Sequence, residues 1–317
     1  MAMAVVHSTG EWRERFGAGA RAAISVGNFD GLHMGHQKIL KLLVERARES
    51  GQRSVAITFD PHPLRVLRPE IAPAMIQTLG QRLSGMEQIG LDAALVLRFD
   101  RELSQVTAEE FMQRILVAGL SAGTILVGEN FCFGYRGAGN VQMLSEYGKT
   151  HGFAVEIVAP VEVGGRVVSS TSVRNAVVSG NVGEANELLG RAFSLSGEIR
   201  AGAGRGRQIL VPTLNLVPEQ ELLPKLGVYA TESVVAGKNY FSVTNVGTRP
   251  TFDGRGVTVE SHLFEFGEMV TGGRMEVRFC ARIRDEMKFS GAEELRGQIG
   301  KDIAAAKEYF AEGKISR

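Results

Sequence analysis

Cysteine, tryptophan and long hydrophobic runs are scarce in this 317-residue chain, and their scarcity excludes several classes of protein. The two cysteines, Cys132 and Cys280, stand far apart with no paired spacing, which argues against a disulfide framework or a zinc site. No run of about 18 apolar residues occurs, so neither membrane spanning nor export is supported. We therefore expect a cytoplasmic protein whose cysteines are reduced and buried.

The chain also lacks an excess of charge of either sign. Thirty-six basic and thirty-five acidic residues leave a formal net charge of +1, so no global field favours nucleic acid or an anionic membrane. The basic residues in 200–207 lie among glycines without an interleaved aromatic side chain, which disfavours the alternative of a nucleic-acid-binding barrel. We expect small-molecule substrates, no nucleic acid and no membrane.

Apolar runs alternate with helical spacing from about residue 22 to residue 160. This order predicts a parallel sheet with helices on both faces, in which ligands bind at the carboxyl ends of the strands. The predicted strands are Ala23–Val26, Ser54–Phe59, Ala93–Phe99, Thr124–Val127 and Ala154–Val158. The predicted helices are Gln37–Glu49, Leu79–Ile89, Ala108–Ala118, Val141–His151 and, after the last strand, Ser172–Leu189.

The pattern changes at about Gly190. Short apolar runs separated by Gly, Pro and Asn turns extend from Phe193 to Ile283, as is typical of a small antiparallel β-barrel. Helical spacing returns over Gly291 to Phe310 and predicts a C-terminal helix that closes the barrel. We therefore predict two domains, residues 1–190 and 191–317, the first α/β and the second mainly β.

The segment GNFDGLHMGH, residues 27–36, combines a glycine-rich turn with two histidines at i and i+3. Because it joins a predicted strand to a predicted helix, His33 and His36 should share one face of the first helical turn. Free backbone N–H groups and the helix dipole favour anions there. The segment predicts a nucleotide-phosphate site, although a polar structural turn would use the same residue types.

Nine motifs, in order along nearly the whole chain, resemble those of the bifunctional riboflavin kinase/FAD synthetase family of bacteria. Four lie in the N-terminal half: GNFDGLHMGH, TFDPHP, VGENFCFGYRGAGN and SSTSVR. Five lie in the C-terminal half: GRQILVPTLNL, GVYA, TNVGTRPTF, VESHLFEF and IRDEMKF. The resemblance implies a Rossmann-like nucleotidyltransferase domain that makes FAD from FMN and ATP, followed by a kinase barrel that makes FMN from riboflavin and ATP.

In the first domain, the resemblance implies that His33, His36 and Arg174 stabilise charge during adenylyl transfer. The residues expected to bind ATP are Gly27, Asn28, Phe29, Asp30, Gly31, Ser170 and Thr171. His62 and Asn130, on neighbouring loops, are the candidates for FMN. For Asp30, hydrogen bonding within its own turn is an equally good interpretation.

In the second domain, the resemblance implies that Thr213 and Asn215 hold Mg²⁺, which prefers oxygen ligands. Glu260 is the expected general base for the ribityl hydroxyl, with an outward glutamate on an alternating strand as the competing interpretation. The candidates for ATP are Gly206 and Arg207, and those for the flavin are Arg284 and Phe289. We expect a monomer or a weak homo-oligomer.

Three departures from the family pattern keep another hypothesis open. Leu210 and Val211 replace the usual glycine and phenylalanine, Leu214 replaces an alanine, and a Tyr-Gly pair is missing from residues 267–272. We expect an active kinase because Thr213, Asn215 and Glu260 are all present. The alternative is an active FMN adenylyltransferase with a non-catalytic flavin-binding barrel, and a less favoured one transfers a nucleotidyl group to another phosphate acceptor.

Overall fold

The computed structural model describes residues 2–200, 212–251, 254–267, 270 and 272–313. They form two compact units that divide between Val168 and Ser169. The first unit is an α/β layer structure with a parallel sheet, and the second contains a closed antiparallel barrel and a C-terminal helix. The predicted fold classes are therefore confirmed.

The first unit contains ten strands, of which six form one parallel sheet in the order β1-β4-β3-β2-β5-β8. Two short hairpin ribbons, β6 with β7 and β9 with β10, lie outside this sheet. The strands are β1 (Ala4–Val6), β2 (Ala22–Val26), β3 (Arg53–Asp60), β4 (Ala93–Arg98), β5 (Ala122–Gly128), β6 (Cys132–Phe133), β7 (Gly139–Asn140), β8 (Ala154–Val158), β9 (Glu162–Val163) and β10 (Arg166–Val167).

Helices connect these strands and cover the sheet. They are α1 (Thr9–Phe16), α2 (Met34–Glu49), α3 (Pro63–Leu67), α4 (Leu79–Ile89), α5 (Arg101–Ser104), α6 (Ala108–Glu110) and α7 (Val141–His151). Short 3₁₀ segments occur at Pro69–Ile71 and Tyr135–Gly137, and a π-helical segment occurs at Phe111–Val117. The helix predicted over 108–118 is therefore correct in extent, but most of it has π rather than α hydrogen bonding.

Strand β2 positions the first candidate site. It is buried along its whole length and pairs with β3 on one side and β5 on the other. From β2 the sheet extends through β3 and β4 to β1 on one side, and through β5 to β8 on the other. The strand order thus reverses beside β2, and such a switch point opens a crevice at the carboxyl ends of parallel strands.

The second unit begins with two helices and continues into the barrel, whose strand order is β11-β12-β15-β14-β13-β16. Its elements are α8 (Ser170–Ser179), α9 (Val182–Leu189), β11 (Phe193–Arg200), β12 (Leu214–Pro218), β13 (Gly227–Val235), β14 (Lys238–Thr251), β15 (Gly254–Leu263), β16 (Arg274–Asp285) and α10 (Ala292–Ala311). No helix in the described ranges is long and apolar enough to cross a membrane.

The single helix predicted over 172–189 is wrong, because two helices occupy this segment. Gly180 adopts a left-handed conformation (φ 84°) that ends α8, and the Asn181 side chain accepts a hydrogen bond from the Glu184 N–H to begin α9. Both helices belong to the same compact unit as the barrel. The functional boundary at residues 190 and 191 stays a prediction.

The buried side chain of Asn186 links helix α9 to the barrel by hydrogen bonds. The amide of Asn186 donates to the carbonyl of Phe279 at 2.8 Å and accepts from the N–H of Phe193 at 2.7 Å. Asn186 is 6% exposed, so water cannot easily replace either bond. Its side chain satisfies two backbone groups on the neighbouring strands β11 and β16.

Replacing Asn186 by alanine should therefore destabilise the protein, because it leaves two buried backbone groups without partners. We expect the free energy of unfolding to fall by about 2–4 kcal/mol for Asn186→Ala. Urea titration of the full chain followed by circular dichroism measures this change. Glu187→Ala on the exposed side of α9 is the control and should stay within about 0.5 kcal/mol. Equal stability of the two variants would contradict the prediction.

Candidate functional site

The turn between β2 and α2 has an unusual backbone. The backbone of Phe29 (φ 49°), Gly31 (φ 84°) and Leu32 (φ 40°) lies in the left-handed region, which residues other than glycine rarely adopt. At Gly31 a Cβ atom would also stand 2.9 Å from the side chain of Ile76. This conformation is held by packing and hydrogen bonds, and it brings the chain directly to the start of α2.

The side chains of Asp30 and Phe29 hold this turn in place. The Asp30 side chain is 1% exposed, and its carboxylate accepts hydrogen bonds from the backbone N–H groups of Ile76 and Gln77 at 3.1–3.2 Å. The ring of Phe29 is 2% exposed and lies edge-on to His36, with a centroid distance of 5.3 Å. The hydrogen bonds of Asp30 tie the turn to residues 76 and 77, which lie outside it. Hydrogen bonding of Asp30 within its own turn and ligand contact by either side chain both stay predictions.

His33 and His36 lie together at the start of α2, as their spacing predicted. Their rings stack with centroids 3.7 Å apart. His33 caps the helix, since its Nδ1 accepts a hydrogen bond from the His36 N–H at 3.4 Å. A neutral His33 therefore carries its proton on Nε2. The helix start supplies free N–H groups next to the two rings, which is an arrangement suited to phosphate.

The local environment disfavours a positive charge on His36. Burial lowers the pKa of His36 well below 6.5, and the nearby His33 lowers that pKa further. Its Nδ1 atom is buried and has no hydrogen-bond partner within the described part of the chain. This environment favours the neutral imidazole, and an anionic ligand would reduce the cost of protonating it.

His62 and Asn28 lie on adjacent loops and meet. The Asn28 amide nitrogen is 3.2 Å from Nε2 of His62, whose Nδ1 accepts from the Leu64 N–H and caps α3. Asn130 is exposed in the turn that follows β5, the strand on the other side of β2. The two candidate flavin residues therefore follow the two strands that flank β2.

Ser170, Thr171 and Arg174 lie in the first turns of α8, in the second unit. Ser169 caps this helix by accepting from the Ser172 N–H, and the Ser172 hydroxyl group accepts from the Ser169 N–H in return. The motif therefore forms a helix start with hydroxyl groups and an arginine, as expected. Its place beside the histidine pair stays a prediction.

The second candidate site is a cavity of about 380 Å³ between the outer face of the barrel and α10. This volume lies in the usual range of small-molecule sites, roughly 300–1,000 Å³. Four residues that the sequence singled out line it: Thr213, Glu260, Arg284 and Phe289. Asn245, Glu286 and Asp302 also line the cavity, and sequence reasoning gave none of them a role.

Glu260 lies at the centre of a polar row across three strands. In the antiparallel register it stands directly opposite Asn215 on β12 and Asn245 on β14, so the three side chains share one face. The PTLN segment, residues 212–215, also contacts β15 at its first residue, because the carbonyl of Pro212 lies 3.0 Å from Nδ1 of His262. Thr213, Asn215 and Glu260 therefore offer oxygen atoms of the kind that Mg²⁺ prefers.

Arg284 and Asp302 form a bidentate ion pair at the wall of this cavity. The two hydrogen bonds measure 2.8 and 2.7 Å, and the Asp302 side chain is 6% exposed. Gln298 also donates to this carboxylate at 2.9 Å, and the Arg284 guanidinium lies 5.9 Å from the ring centroid of Phe289. The pair connects β16 to α10 and sets the direction of Arg284.

Four residues of the sequence predictions, Gly206, Arg207, Leu210 and Val211, lie outside the described residues. Asn245 and Asp302, which line the cavity but were not predicted, had only weak signals in the sequence. Asn245 lies inside the TNVGTRPTF motif but carries no charge, and Asp302 interrupts the apolar stripe of α10 as an isolated acid. Pairing such residues with their partners requires the strand register and the position of α10.

The histidine stack gives a direct test by NMR. Replacing His33 with asparagine keeps a capping side chain but removes the neighbouring charge. We expect the pKa of His36 to rise in His33→Asn and to remain below 6.5, because burial, the larger cause, is unchanged. Titration of the imidazole Cε1–H signals of both proteins measures the shift. An unchanged His36 pKa would show that the two rings do not interact electrostatically.

Comparisons with known proteins agree with this division of sites. The FAD synthetase family model matches residues 18–172, and the riboflavin kinase family model matches residues 189–310. A crystal structure described as a macrolide-efflux protein from Streptococcus pneumoniae has 28% sequence identity and a TM-score of 0.85, covering 97% of this chain and 99% of its own.

Two curated relatives carry the name bifunctional riboflavin kinase/FMN adenylyltransferase. The protein of Pseudomonas fluorescens is 38% identical over 89% of this chain and 91% of its own length. The protein of Escherichia coli strain K12 is 34% identical over 90% of this chain and 92% of its own length. The resemblance read from the nine motifs is thereby confirmed. With both family models matched in order and these relatives covered almost end to end, the chain belongs to the bifunctional riboflavin kinase/FMN adenylyltransferase family.

Proposed function

We propose that this chain phosphorylates riboflavin to FMN in the second unit and transfers an adenylyl group from ATP to FMN, giving FAD and pyrophosphate. The observation that carries the proposal is that the histidine pair lies within the segment matched by the FAD synthetase model and the Glu260 cavity within the segment matched by the riboflavin kinase model. The first segment has stacked histidines at a helix start, and the second has a glutamate in a cavity of small-molecule size.

Adenylyl transfer requires charge neutralisation more than a base, because the attacking group is already a phosphate. An oxygen of FMN attacks the α-phosphorus of ATP in line, and pyrophosphate leaves. His33 and His36 donate to the negative charge that develops, together with the free N–H groups of α2. Ser170, Thr171 and Arg174 supply further phosphate donors from the start of α8.

The rest of this site shapes and recognises the substrates. Residues 27–31 form the turn that receives ATP, and its tight backbone depends on Gly31, whose φ is 84° and where a Cβ atom would meet Ile76. His62 and Asn130 bind FMN from the loops on either side of the turn. The contact between Asn28 and His62 joins the nucleotide side of this site to its flavin side.

Phosphorylation of riboflavin requires a base, because its acceptor is a neutral hydroxyl group. Glu260 accepts the ribityl hydroxyl proton while that oxygen attacks the γ-phosphorus of ATP and ADP leaves. Thr213 and Asn215 would hold Mg²⁺, which neutralises the charge of the ATP phosphates. Arg284 and Phe289 contact the flavin ring in the cavity. Gly206 and Arg207, which lie outside the described residues, stay the predicted ATP ligands of this domain.

Flavin product analysis of two variants tests both assignments in one chain. His36→Ala should lower FAD formation from FMN by roughly 100-fold and leave riboflavin phosphorylation unchanged. Glu260→Gln should lower riboflavin phosphorylation and leave FAD formation from FMN unchanged, because the amide retains the shape of glutamate but cannot accept a proton. Each variant is the control for the other, and chromatographic separation of riboflavin, FMN and FAD measures both reactions.

Two outcomes would contradict these assignments. Absence of FAD in the wild-type reaction with FMN, ATP and Mg²⁺ would remove the adenylyltransferase assignment. FAD from FMN without any FMN from riboflavin, with Glu260→Gln equal to wild type, would replace the kinase by a non-catalytic flavin-binding barrel.

The ion pair in the cavity predicts an effect on riboflavin affinity. Asp302→Asn leaves the Arg284 guanidinium without its carboxylate partner and frees it to turn away from the cavity. We expect the KM for riboflavin to rise roughly tenfold, about 1.4 kcal/mol, with a smaller change in kcat. Glu308→Gln, which makes the same charge change on an exposed position of α10, is the matched control. An unchanged KM in Asp302→Asn would refute this role.

A further inference from the structure

Arg82 is a buried cation that the reaction scheme above does not use. It lies on α4, is 2% exposed, and is among the largest fully buried side chains of the described residues. Burying a guanidinium is costly unless its hydrogen-bond donors are satisfied, so its partners indicate what it does. Burial lowers the pKa of Arg82, whereas the carboxylates of Asp30 and Asp60 raise it, and the group remains charged at neutral pH.

The partners of Arg82 lie on two different loops of the first candidate site. One guanidinium nitrogen donates to the carbonyl of Asn28 at 2.8 Å and to the hydroxyl of Thr58 at 3.1 Å. The other terminal nitrogen lies 3.8 Å from the carboxylate of Asp60. Asn28 belongs to the turn after β2, whereas Thr58 and Asp60 form the end of β3, just before His62.

The contacts among Arg82, Thr58 and the Asn28 carbonyl form a closed hydrogen-bond network. The Thr58 hydroxyl, which accepts from Arg82, itself donates to the Asn28 carbonyl at 3.2 Å. That carbonyl thus accepts two hydrogen bonds, which fixes the Asn28 peptide. The side chain of the same residue reaches His62 at 3.2 Å. Arg82 therefore controls the position of a residue that joins the two loops.

Helix α4 supports the same turn at two further points. The Asp30 carboxylate binds the N–H groups of Ile76 and Gln77, immediately before Thr78 caps α4. Gly85, one turn after Arg82, lies so close to Leu32 that a Cβ atom there would be 2.4 Å from the leucine side chain. Since α4 packs directly against the turn, Arg82 is held in place by its helix as well as by its loop partners.

We propose that Arg82 is a positioning residue for adenylyl transfer, which couples α4 to the turn carrying the histidine pair and to the loop carrying His62. The proposal rests on the function assigned to this site above. Arg82 touches neither substrate. It sets the geometry in which Asn28 meets ATP and His62 meets FMN, while the left-handed backbone at Phe29 leads into His33.

The test compares Arg82→Met and Arg82→Lys in the full-length chain. In Arg82→Met we expect kcat for FAD formation to fall roughly tenfold or more and the KM for FMN to rise about threefold. Arg82→Lys keeps the charge but offers no planar fork, so it should restore activity only in part. Riboflavin phosphorylation by the second unit is the internal control and should not change.

Two further variants complete the design. Thr58→Val removes the hydroxyl group that shares the Asn28 carbonyl with Arg82. It should raise the KM for FMN, as Arg82→Met does, with a smaller loss of kcat than in Arg82→Met. If Arg82→Met does not fold, Arg82→Lys and Thr58→Val decide the question by the same criterion. Arg46→Met is the matched control, because Arg46 in the same unit pairs with Glu156 on the surface, away from both loops.

The outcomes separate this proposal from the function on which it rests. A wild-type chain that makes no FAD from FMN overturns both. With an active wild type, an unchanged KM for FMN in the Arg82 and Thr58 variants overturns the positioning role, whether kcat is unchanged or falls only with the fraction of folded enzyme. An equal loss in Arg46→Met overturns it as well.

Discussion

The first site depends on how the chain leaves β2. Between Val26 and Met34 it must end a buried strand and begin a helix, and it does so through left-handed conformations at Phe29, Gly31 and Leu32. A non-glycine residue in that region costs about 1–3 kcal/mol, so the surroundings must compensate. The Asp30 carboxylate and the buried ring of Phe29 provide that support. The placement of His33 and His36 at the start of α2 follows from the stability of this turn.

The two sites offer different candidate groups to their proposed acceptors. FMN brings a phosphate that is already nucleophilic, so its site needs hydrogen-bond donors such as the His33 and His36 imidazoles and no carboxylate base. Riboflavin brings a hydroxyl group, which loses a proton on reaction and needs a carboxylate such as Glu260 nearby. The +1 net charge of the chain hides this local division, which only the folded sites display.

Sequence reasoning was most successful where one local pattern determines the structure. The five parallel strands and the helix over 79–89 followed from periodicity, and the His33–His36 pair followed from its spacing after a glycine-rich turn. It failed where the determinant is distant or subtle. The short edge strand β1 has only three residues, and the break at Gly180 lay between two runs of helical spacing. Arg82 resembled any arginine on an amphipathic helix.

The barrel shows why strand register, and not composition, decides where its chemistry lies. Five fully buried hydroxyl groups form a continuous hydrogen-bonded chain across β13, β14 and β15, on the faces opposite the cavity: Ser233, Ser242, Thr231, Thr244 and Ser261. Ser261 is the immediate neighbour of Glu260, so the two point to opposite faces of β15.

A slip of one residue in β15 would exchange these two faces. It would place the carboxylate of Glu260 against the hydroxyl chain inside the barrel and turn Ser261 outward, away from Thr244. Burial of an unpaired carboxylate and loss of hydroxyl partners would both oppose that arrangement. The hydroxyl chain therefore does more than fill the barrel. Because each member is satisfied only in the observed register, it helps to keep Glu260, Asn215 and Asn245 together on the cavity side.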